Sequence, residues 1–563
     1  MSTWSTVPIT TCRQKFDNCD ATPVGFSRLT AVGHKACEHF GGIVKRLFAG
    51  TTAVVLGLTA QVIAVSPVGA APTTGTTVRP ASPIAWSPCP EDDPVMGEYL
   101  VGLECGTLAV PLDHSRPTGQ KITLALTRAK HTAPESEYQG VVLLNRGQWP
   151  GTIGRDLPTR FAKGWSGLPT DVGSTYDWIG FDPRGVGASE PSITCDPTYL
   201  YPGEARPDYR PSSPAEERVW TRRARTYAES CGEKYGDTLR HFRTTDTARD
   251  MDLIRAALGQ NTINYLGYSY GTYLGSVYAS LFPNRVRRMV LDSVVQPSTV
   301  GYASLSRTNA AFEKRAQIFF SWIAEHDSYY HLGDTTAEVE ANYYQGMAAV
   351  REAPIDGQIG PAEYSDIFAV NVYRSYVWTY HAQVLADWVL RGDPAGLRDN
   401  FGGEPGFPAQ NTHATYRTVQ CVDGYWPQRW NRWHTDLTRQ YNRGDRFMTW
   451  NSAWYNAPCA FWPVPASRPA KVGDRSANML LIQAEHDALT PVAGAYETHR
   501  RFPNSRLVLE RGGVFHGASL TANANGCLNS HVTAYLRDGT RPSATTGVDA
   551  TCDANPLPDP EAG

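Results

Sequence analysis

A serine in a glycine-flanked turn is the first residue of this sequence whose type and spacing suggest chemistry. Ser269 lies between Gly267 and Gly271 in the stretch LGYSYG, directly after the apolar run from Ile263. A serine presented on a sharp turn between a strand and a helix can act as a nucleophile. The pattern is short, so an ordinary turn serine is the alternative interpretation.

An acid and a base, both far downstream of Ser269 in the chain, complete the chemistry that such a serine needs. A serine hydroxyl requires a base, and the base requires an acid that fixes its tautomer. Asp487 follows the apolar run 479–483, and His516 follows the run 506–510 in a glycine-rich loop. In one known type of Ser–His–Asp triad, the acid follows the serine in the chain and the histidine follows the acid. We therefore predict a triad of Ser269, Asp487 and His516.

Each partner has a rival. Glu485 is an alternative acid and His486 an alternative base, since both lie beside Asp487. We favour Asp487 because it lies in the loop before a Thr-Pro pair, where a short carboxylate can be held. The alternative for His516 is a surface-loop histidine, and its flanking glycines favour a tight turn that delivers a side chain.

The elements that must position these residues are apolar runs of strand length. They are Val141 to Asn145, Asp177 to Asp182, Ile263 to Gly267, Arg288 to Val294, Met479 to Gln483 and Arg506 to Glu510. Helical patterns such as DTARDMDLIRAALG lie between them, with apolar residues at three- and four-residue spacing. Apolar strands that alternate with helices predict an α/β fold with a doubly wound, mostly parallel sheet. The carboxyl ends of such strands share the edge where active sites lie.

The alternation of strands and helices stops in the middle of the chain. Aromatic and helix-forming residues dominate from Gln296 to Ala470, which predicts an inserted, mainly helical cap over 296–470. Its aromatic residues are candidates for lining a pocket, although ordinary packing is the favoured interpretation of any single tryptophan. The core then comprises 86–295 and 471–563. At its start, CGTLAVPLD and KITLALTRAK predict an antiparallel hairpin.

The first part of the chain, 1–71, has the pattern of a leader with a signal peptide. Two basic residues precede the apolar run 47–65, and small residues follow near Ala71. A membrane anchor is the alternative, because the run approaches the length of about 20 residues that spans a bilayer. We favour cleavage, with a true start near Val44 and a linker over 72–85. The expected product is secreted and extracellular, without stable membrane association.

Charge and cysteine content limit the function classes further. The formal net charge of −3 over 563 residues provides no basic excess to hold nucleic acid. Eight cysteines follow the leader, and an even number in an exported chain predicts disulfides. Eight cysteines allow 105 pairings, among which pairing neighbours closes four short loops. The absence of a Cys-x-x-Cys pair argues against metal binding. The eight are Cys89, Cys105, Cys195, Cys231, Cys421, Cys459, Cys527 and Cys552.

Several longer stretches together resemble the exported bacterial tripeptidyl aminopeptidases, relatives of the prolyl aminopeptidases in the α/β-hydrolase superfamily. The matching stretches are ECGTLAVPLDHSRP, DWIGFDPRGVGASEP, LGYSYGTYLG, LLIQAEHDALTP and FHGASL, within 86–553. The resemblance implies the α/β-hydrolase fold, with Ser269 as nucleophile, Asp487 as acid and His516 as base. It also implies release of short peptides, tripeptides in particular, from free amino termini through an acyl-enzyme, without a metal or an organic cofactor.

One loop departs from the family pattern. Members carry a glycine-rich NPGGPGGSG loop that helps to hold the oxyanion, whereas this chain has NRGQWPGTIG. Tyr270, the residue after the serine, is expected to donate one backbone N–H, and Gly147 or Gln148 the other. Trp149, where a glycine is expected, predicts either a weaker oxyanion hole or a narrower pocket.

An aminopeptidase must also bind an ammonium group, which calls for a carboxylate or several carbonyls. Glu313, Glu325, Glu363 and Asp423 are acidic positions in or beside the predicted cap. Asp423 is slightly favoured because it lies two residues beyond Cys421 in an aromatic segment. A solvated surface charge is the alternative for each of the four.

Two other functions fit part of the pattern. An exported esterase or lipase shares the triad but needs no amine site, so a requirement for a free amino terminus separates the two enzymes. A catalytically silent protein that binds peptides or apolar ligands in the cap is the other alternative. The altered loop argues for it, and the complete triad argues against it.

Overall fold

The computed structural model describes residues 83–93, 95–147, 150–402, 406–521 and 524–561. The predicted leader over 1–71 lies outside the described residues, as does the linker up to residue 82. In those described ranges, no helix combines the length and the apolarity needed to cross a membrane.

Strands in the described part of the chain form one sheet of ten. They are β1 (Ser87–Pro88), β2 (Glu104–Pro111), β3 (Lys121–Ala129), β4 (Val141–Asn145), β5 (Asp177–Phe181), β6 (Ile263–Tyr268), β7 (Val286–Asp292), β8 (Met479–Ala484), β9 (Ser505–Arg511) and β10 (Ala550–Asp553). Their order across the sheet is β1-β2-β3-β5-β4-β6-β7-β8-β9-β10.

The sheet divides into a short antiparallel part and a longer parallel part. Strands β1, β2 and β3 pair antiparallel, and β3 joins β5 in the same sense. From β5 through β4, β6, β7, β8 and β9 to β10, every neighbouring pair is parallel. The predicted hairpin is β2 and β3, with Glu104 opposite Arg128. The predicted mostly parallel sheet is therefore confirmed.

The helices fall between and beside these strands. They are α1 (Leu157–Ala162), α2 (Thr170–Gly173), α3 (Pro214–Tyr235), α4 (Thr244–Ala257), α5 (Tyr270–Leu281), α6 (Leu305–Glu325), α7 (Asp327–Tyr330), α8 (Thr336–Glu352), α9 (Pro361–Ala369), α10 (Trp378–Arg391), α11 (Ala395–Phe401), α12 (Phe407–Asp423), α13 (Trp430–Tyr441), α14 (Thr449–Asn456), α15 (Ala493–Arg501) and α16 (Gly526–Asp538).

Helices cover both faces of the sheet because successive strand residues point to opposite sides. In β4, Leu143 packs in one core with apolar residues of α4, α5 and α15. Its neighbours Val142 and Leu144 pack in a second core with residues of α1, α2 and α16. Burial on both faces explains why the parallel strands are apolar throughout.

The helices α6 to α14 lie between β7 and β8 in the chain and bury aromatic residues among themselves. Trp430 stacks on Trp433 with ring centroids 5.5 Å apart and on Trp454 at 4.4 Å. Both Trp433 and Trp454 are buried, in agreement with ordinary packing. Helix α12 contacts the segment between β4 and α1 through Thr412, whose hydroxyl donates to the carbonyl of Gly151 at 3.0 Å.

The eight cysteines pair with their neighbours in the chain. The disulfides are Cys89–Cys105, Cys195–Cys231, Cys421–Cys459 and Cys527–Cys552. The predicted disulfide bonding is thus confirmed, in the arrangement with four short loops.

Candidate active site

Ser269 occupies a sharp turn between β6 and α5. Its backbone has φ 53° and ψ −123°, a conformation that costs a non-glycine residue about 1–3 kcal/mol. Hydrogen bonds hold the turn. The N–H of Ser269 donates to the carbonyl of Asp292 at 2.9 Å, and the hydroxyl of Thr272 donates to the carbonyl of Ser269 at 2.6 Å. Because β6 ends at Tyr268, the serine lies at the carboxyl edge of the sheet.

Two glycines allow the chain to pack closely behind this turn. A Cβ at Gly271 would lie 2.8 Å from Oδ1 of Asn145, at the end of the neighbouring strand β4. Gly147 has a φ of 70°, and a Cβ there would lie 1.6 Å from the carbonyl oxygen of Tyr268. The loop after β4 therefore packs directly against the serine turn.

An Asp–His pair forms at the same edge of the sheet, because Asp487 follows β8 and His516 follows β9. Nδ1 of His516 lies 2.8 Å from Oδ2 and 3.0 Å from Oδ1 of Asp487. The hydroxyl of Thr490 donates to the same carboxylate at 2.8 Å. Burial would raise the pKa of Asp487, but His516 and Thr490 outweigh burial and hold the pKa of this carboxyl below its usual value. Asp487 is therefore ionised at neutral pH.

The hydrogen bonds decide which nitrogen of His516 carries the proton. An ionised carboxylate can only accept, so Nδ1 donates to Asp487, and Nε2 of the neutral ring keeps its lone pair. Nε2 is buried and has no hydrogen-bond partner among the described residues. A basic nitrogen held in this way can take a proton from a neighbouring hydroxyl.

Asp292, at the end of β7, connects the serine turn to the loop after His516. Its carbonyl accepts from the N–H of Ser269. Its carboxylate accepts from the N–H of Ala518 at 3.0 Å, the N–H of Ser519 at 2.7 Å and the hydroxyl of Ser519 at 2.6 Å. Burial raises the pKa of Asp292, and these hydrogen bonds oppose the rise.

Sequence analysis missed Asp292. The signal available was an acidic residue at the end of the strand that follows the serine strand. Its importance depends on partners more than 220 residues away in the chain.

The rival acid and base have other partners. Glu485 is exposed, and its Oε2 accepts from the N–H of Gly512 at 2.9 Å. Nδ1 of His486 lies 3.2 Å from Nζ of Lys314. Burial, together with the charge of Lys314, lowers the pKa of His486. These contacts draw both side chains to other groups, and the structure pairs His516 with Asp487.

The backbone donors expected for the oxyanion hole differ in their availability. Tyr270 is the first residue of α5, so its N–H has no acceptor within the helix. The N–H of Gly147 donates to Oδ1 of Asn145 at 3.0 Å, and its role as an oxyanion donor stays a prediction. Gln148 and Trp149 lie outside the described residues.

The four acidic positions considered for amine binding have different surroundings. Asp423 is buried at the end of α12 and accepts from the N–H of Thr244 at 3.0 and 3.2 Å and from its hydroxyl at 2.5 Å. Glu363 is buried, and its Oε1 lies 2.5 Å from Nε of Arg206. Glu313 accepts two backbone N–H groups, and Glu325 is exposed. The carboxylate of Asp423 therefore already has hydrogen-bond donors, and amine binding by Asp423 stays a prediction.

Within the part of the chain that the structure describes, one group of side chains is close enough together to hold a metal ion. It comprises Cys527, His531 and Cys552. The two sulfurs form a disulfide, which leaves no thiolate to ligate a metal. We therefore assign no metal to this group.

The serine turn and the Asp–His pair at one sheet edge are features of a serine hydrolase with the α/β-hydrolase fold. Two family models match the chain. One is described as alpha/beta hydrolase fold and matches residues 145–358, which include Ser269. The other is described as TAP-like protein and matches residues 446–552, which include Asp487 and His516. The predicted fold class is confirmed.

Relatives along most of the chain narrow the class. A tripeptidyl aminopeptidase of Streptomyces coelicolor is 41% identical, over 81% of this chain and 84% of its own length. Serine protease Hip1 of Mycobacterium tuberculosis is 30% identical, over 82% and 90%. Carboxylesterase B of the same organism is 28% identical, over 84% and 92%. The chain belongs to the family of the tripeptidyl aminopeptidases, and it is a serine hydrolase of the peptidase type.

Proposed function

We propose that the protein is a secreted serine exopeptidase that releases tripeptides from the free amino termini of peptides. The observation that carries the proposal is the His516–Asp487 pair, whose unpartnered Nε2 lies at the sheet edge that presents Ser269. The tripeptide length follows the name of the Streptomyces coelicolor relative. Four disulfides support export to an oxidising compartment.

The first half of the reaction transfers an acyl group to the enzyme. Oγ of Ser269 attacks the carbonyl carbon of the third residue of the substrate, and its proton passes to Nε2 of His516. Asp487 stabilises the imidazolium that forms. When the tetrahedral intermediate collapses, the C–N bond breaks, and His516 gives its proton to the leaving amine. The tripeptide remains on Ser269 as an ester.

The second half returns the enzyme to its starting state. Water attacks the ester carbon and gives a proton to His516. The bond between the carbon and Oγ then breaks, and the proton returns to Ser269 as the tripeptide leaves with a free carboxylate. In both halves the backbone N–H of Tyr270 is the donor we assign to the oxyanion, with Gln148 as the second position expected from the sequence.

A cap over 296–470 is the proposed limit on substrate length. The helices α6 to α14 lie in this range, and the core segments 86–295 and 471–563 carry Ser269 and the Asp–His pair. We infer that these helices restrict access to Ser269 so that only a short amino-terminal segment of the substrate enters, as an exopeptidase requires.

Ester hydrolysis is the second candidate, and the similarity to carboxylesterase B is the observation that favours it. The two activities share Ser269 and the acyl-enzyme. Only the peptidase requires a free amino terminus, so the substrate's amine distinguishes them.

The test compares one peptide in unblocked and amino-acetylated form. The mature protein is incubated with both, and products are identified by mass spectrometry. We expect a tripeptide from the unblocked peptide alone, and no product from Ser269→Ala. Equal cleavage of the acetylated peptide would contradict exopeptidase action.

A matched control is available on α16. Ser530 is exposed, and its hydroxyl donates only to its own helix, to the carbonyl of Gly526 at 2.9 Å. Ser530→Ala should retain wild-type activity, so that the loss in Ser269→Ala is assigned to the nucleophile.

A further inference from the structure

A chain of hydrogen bonds connects the end of a cap helix to the residue that follows the nucleophile. Asp423 is the last residue of α12, and Thr244 is the first residue of the core helix α4. The carboxylate of Asp423 accepts from both the N–H and the hydroxyl of Thr244. Oγ1 of Thr244 lies 2.6 Å from the phenol oxygen of Tyr270. All three side chains are buried.

The cap end of this chain of hydrogen bonds is fixed in place. Cys421, two residues before Asp423, forms a disulfide with Cys459. The carbonyl of Val422 accepts from the N–H and the hydroxyl of Ser467, each at 2.7 Å. A carboxylate at the N-terminus of α4 also meets the positive end of the helix dipole. Asp423 is thus a firm contact between cap and core.

The available protons and acceptors determine which group donates in each of these hydrogen bonds. An ionised carboxylate can only accept, so the single proton of the Thr244 hydroxyl points to Asp423. Oγ1 of Thr244 must then accept from the phenol of Tyr270. If Asp423 is protonated, its O–H can donate to Thr244, whose proton turns toward Tyr270, and the phenol proton loses its acceptor.

The Tyr270 end of the chain lies beside the reacting atoms. Tyr270 directly follows Ser269, and its backbone N–H is the oxyanion donor in the proposed function. Burial, with a contribution from Asp423, raises the pKa of the phenol well above its ordinary value. The phenol therefore stays protonated and acts as a donor. Its bond to Thr244 anchors the side chain of the same residue whose N–H must be aimed.

Charged and titratable groups surround Asp423 on the elements packed against it. Burial raises the pKa of Asp423 to about 7, the bonds from Thr244 lower it, Asp246 raises it and Arg243 lowers it. On α5, the phenols of Tyr270 and Tyr273 face the carboxylate, and its charge contributes to their raised pKa values. The protonation state of Asp423 thus changes near neutral pH.

We propose that Asp423 is a positioning residue that acts through Thr244 to hold Tyr270, and with it the oxyanion donor, in the reactive geometry. The inference rests on the proposed function, in which Tyr270 supplies that donor. It assigns to a cap residue a role in the chemical step, so that the cap must be docked for the oxyanion hole to be complete.

The test uses a fluorophosphonate, which reacts at the nucleophile whether the natural substrate is a peptide or an ester. Oγ of Ser269 forms a bond to phosphorus, the phosphorus–fluorine bond breaks, fluoride leaves, and the serine proton passes to His516. The rate constant of this reaction depends on the oxyanion donors. Thr244→Val keeps the backbone N–H and the side-chain shape, and Tyr270→Phe removes only the phenol oxygen.

Both variants should be phosphonylated about 10- to 100-fold more slowly, because a misplaced catalytic donor costs rates of this order. For peptide release, kcat should fall by the same factor with KM unchanged. The double variant should be no slower than either single variant, because both substitutions interrupt the same chain of hydrogen bonds. Tyr273→Phe, on the same helix and outside the chain, is the control and should react like wild type. Wild-type rates in Thr244→Val and Tyr270→Phe would overturn the inference.

The pH profile provides a readout that a merely structural role would not move. In wild type, protonation of Asp423 as the pH falls through about 7 should slow the reaction about 10- to 100-fold. Asp423→Asn lacks this titration, so the ratio of the wild-type rate to the variant rate should fall by that factor as the pH is lowered through about 7. A ratio that stays constant with pH would overturn the inference.

The two proposals fail in different ways. A wild-type protein that is phosphonylated at Ser269 but releases no tripeptide contradicts the proposed function, while the rates of the variants still decide the inference. A wild-type protein that is not phosphonylated at Ser269 contradicts both.

Discussion

Replacing Asp292 by asparagine should disconnect the loop that follows His516 from the sheet. Asp292 is fully buried, and Oδ2 of its carboxylate accepts from the N–H and the hydroxyl of Ser519 at 2.7 and 2.6 Å. An asparagine of the same shape keeps one acceptor oxygen, for the N–H of Ala518, and presents an NH2 group where Oδ2 stood. The N–H of Ser519 then meets a donor instead of an acceptor.

The magnitude follows from these two bonds. Hydrogen bonds to a charged group contribute about 1.5–3 kcal/mol each, which gives about 3–6 kcal/mol for the pair. We expect the lower end, about 3 kcal/mol, because asparagine is free of the desolvation cost that raises the pKa of Asp292. Activity should fall further than stability implies, since His516 precedes the loosened loop and a displacement of about 1 Å can cost about 100-fold in rate.

The assay measures the thermal midpoint by calorimetry and kcat/KM for peptide release on the same preparation. Asp196→Asn is the matched control, because the half-buried Asp196 caps the short 3-10 helix Pro197–Tyr199 and accepts from the N–H of Thr198 at 2.9 Å. Asparagine caps helices as well as aspartate does, so this control should behave like wild type. Wild-type stability and activity in Asp292→Asn would refute the assigned role of Asp292.

Three further results are expected. Replacing Cys421 and Cys459 together by serine should cost about 4 kcal/mol, from the chain entropy of the 38-residue loop; an unchanged melting temperature would contradict this. Ser269→Gly should abolish turnover but stabilise the fold by about 1 kcal/mol, because glycine tolerates the positive φ; a destabilised variant in calorimetry would argue against a strained turn. Burial raises the pKa of Asp423 to about 7 from its ordinary 3.8, so its contribution to stability is fully present below about pH 4 and is lost as the pH rises through about 7. The unfolding free energy of Asp423→Asn minus that of wild type, both measured by denaturant titration, should therefore increase by up to about 4 kcal/mol from about pH 4 to about pH 8. A difference that does not change with pH would contradict the raised pKa of Asp423.

The sequence was sufficient for the strands that carry the site. The run Val141 to Asn145 is β4 residue for residue, and the five other runs coincide with strands to within two residues at either end. Buried parallel strands produce continuous apolar runs, which local pattern detects. β1 and β10 were not predicted, since they are short, lie at the edges and lack such a run.

The Asp–His pair was predictable because each residue lies in the loop that follows a strand, and parallel strands bring those loops together at one edge. The roles of Asp292 and Asp423 were not. Their partners are Ser519 and Thr244, 227 and 179 residues away in the chain. Hydrogen bonds over such separations leave no local pattern. The bond from Gly147 to Asn145 was missed for a different reason, since it depends on how one loop folds back on itself.

The most direct test of the central claim is to trap the acyl-enzyme. The protein is mixed with an unblocked peptide, quenched in acid within milliseconds and digested, and the fragment that contains Ser269 is weighed by mass spectrometry. The account predicts an adduct with the mass of the first three residues of the peptide on Ser269, and none from the amino-acetylated peptide. An adduct of another length, an adduct from the acetylated peptide, or turnover without any adduct on Ser269 would contradict it.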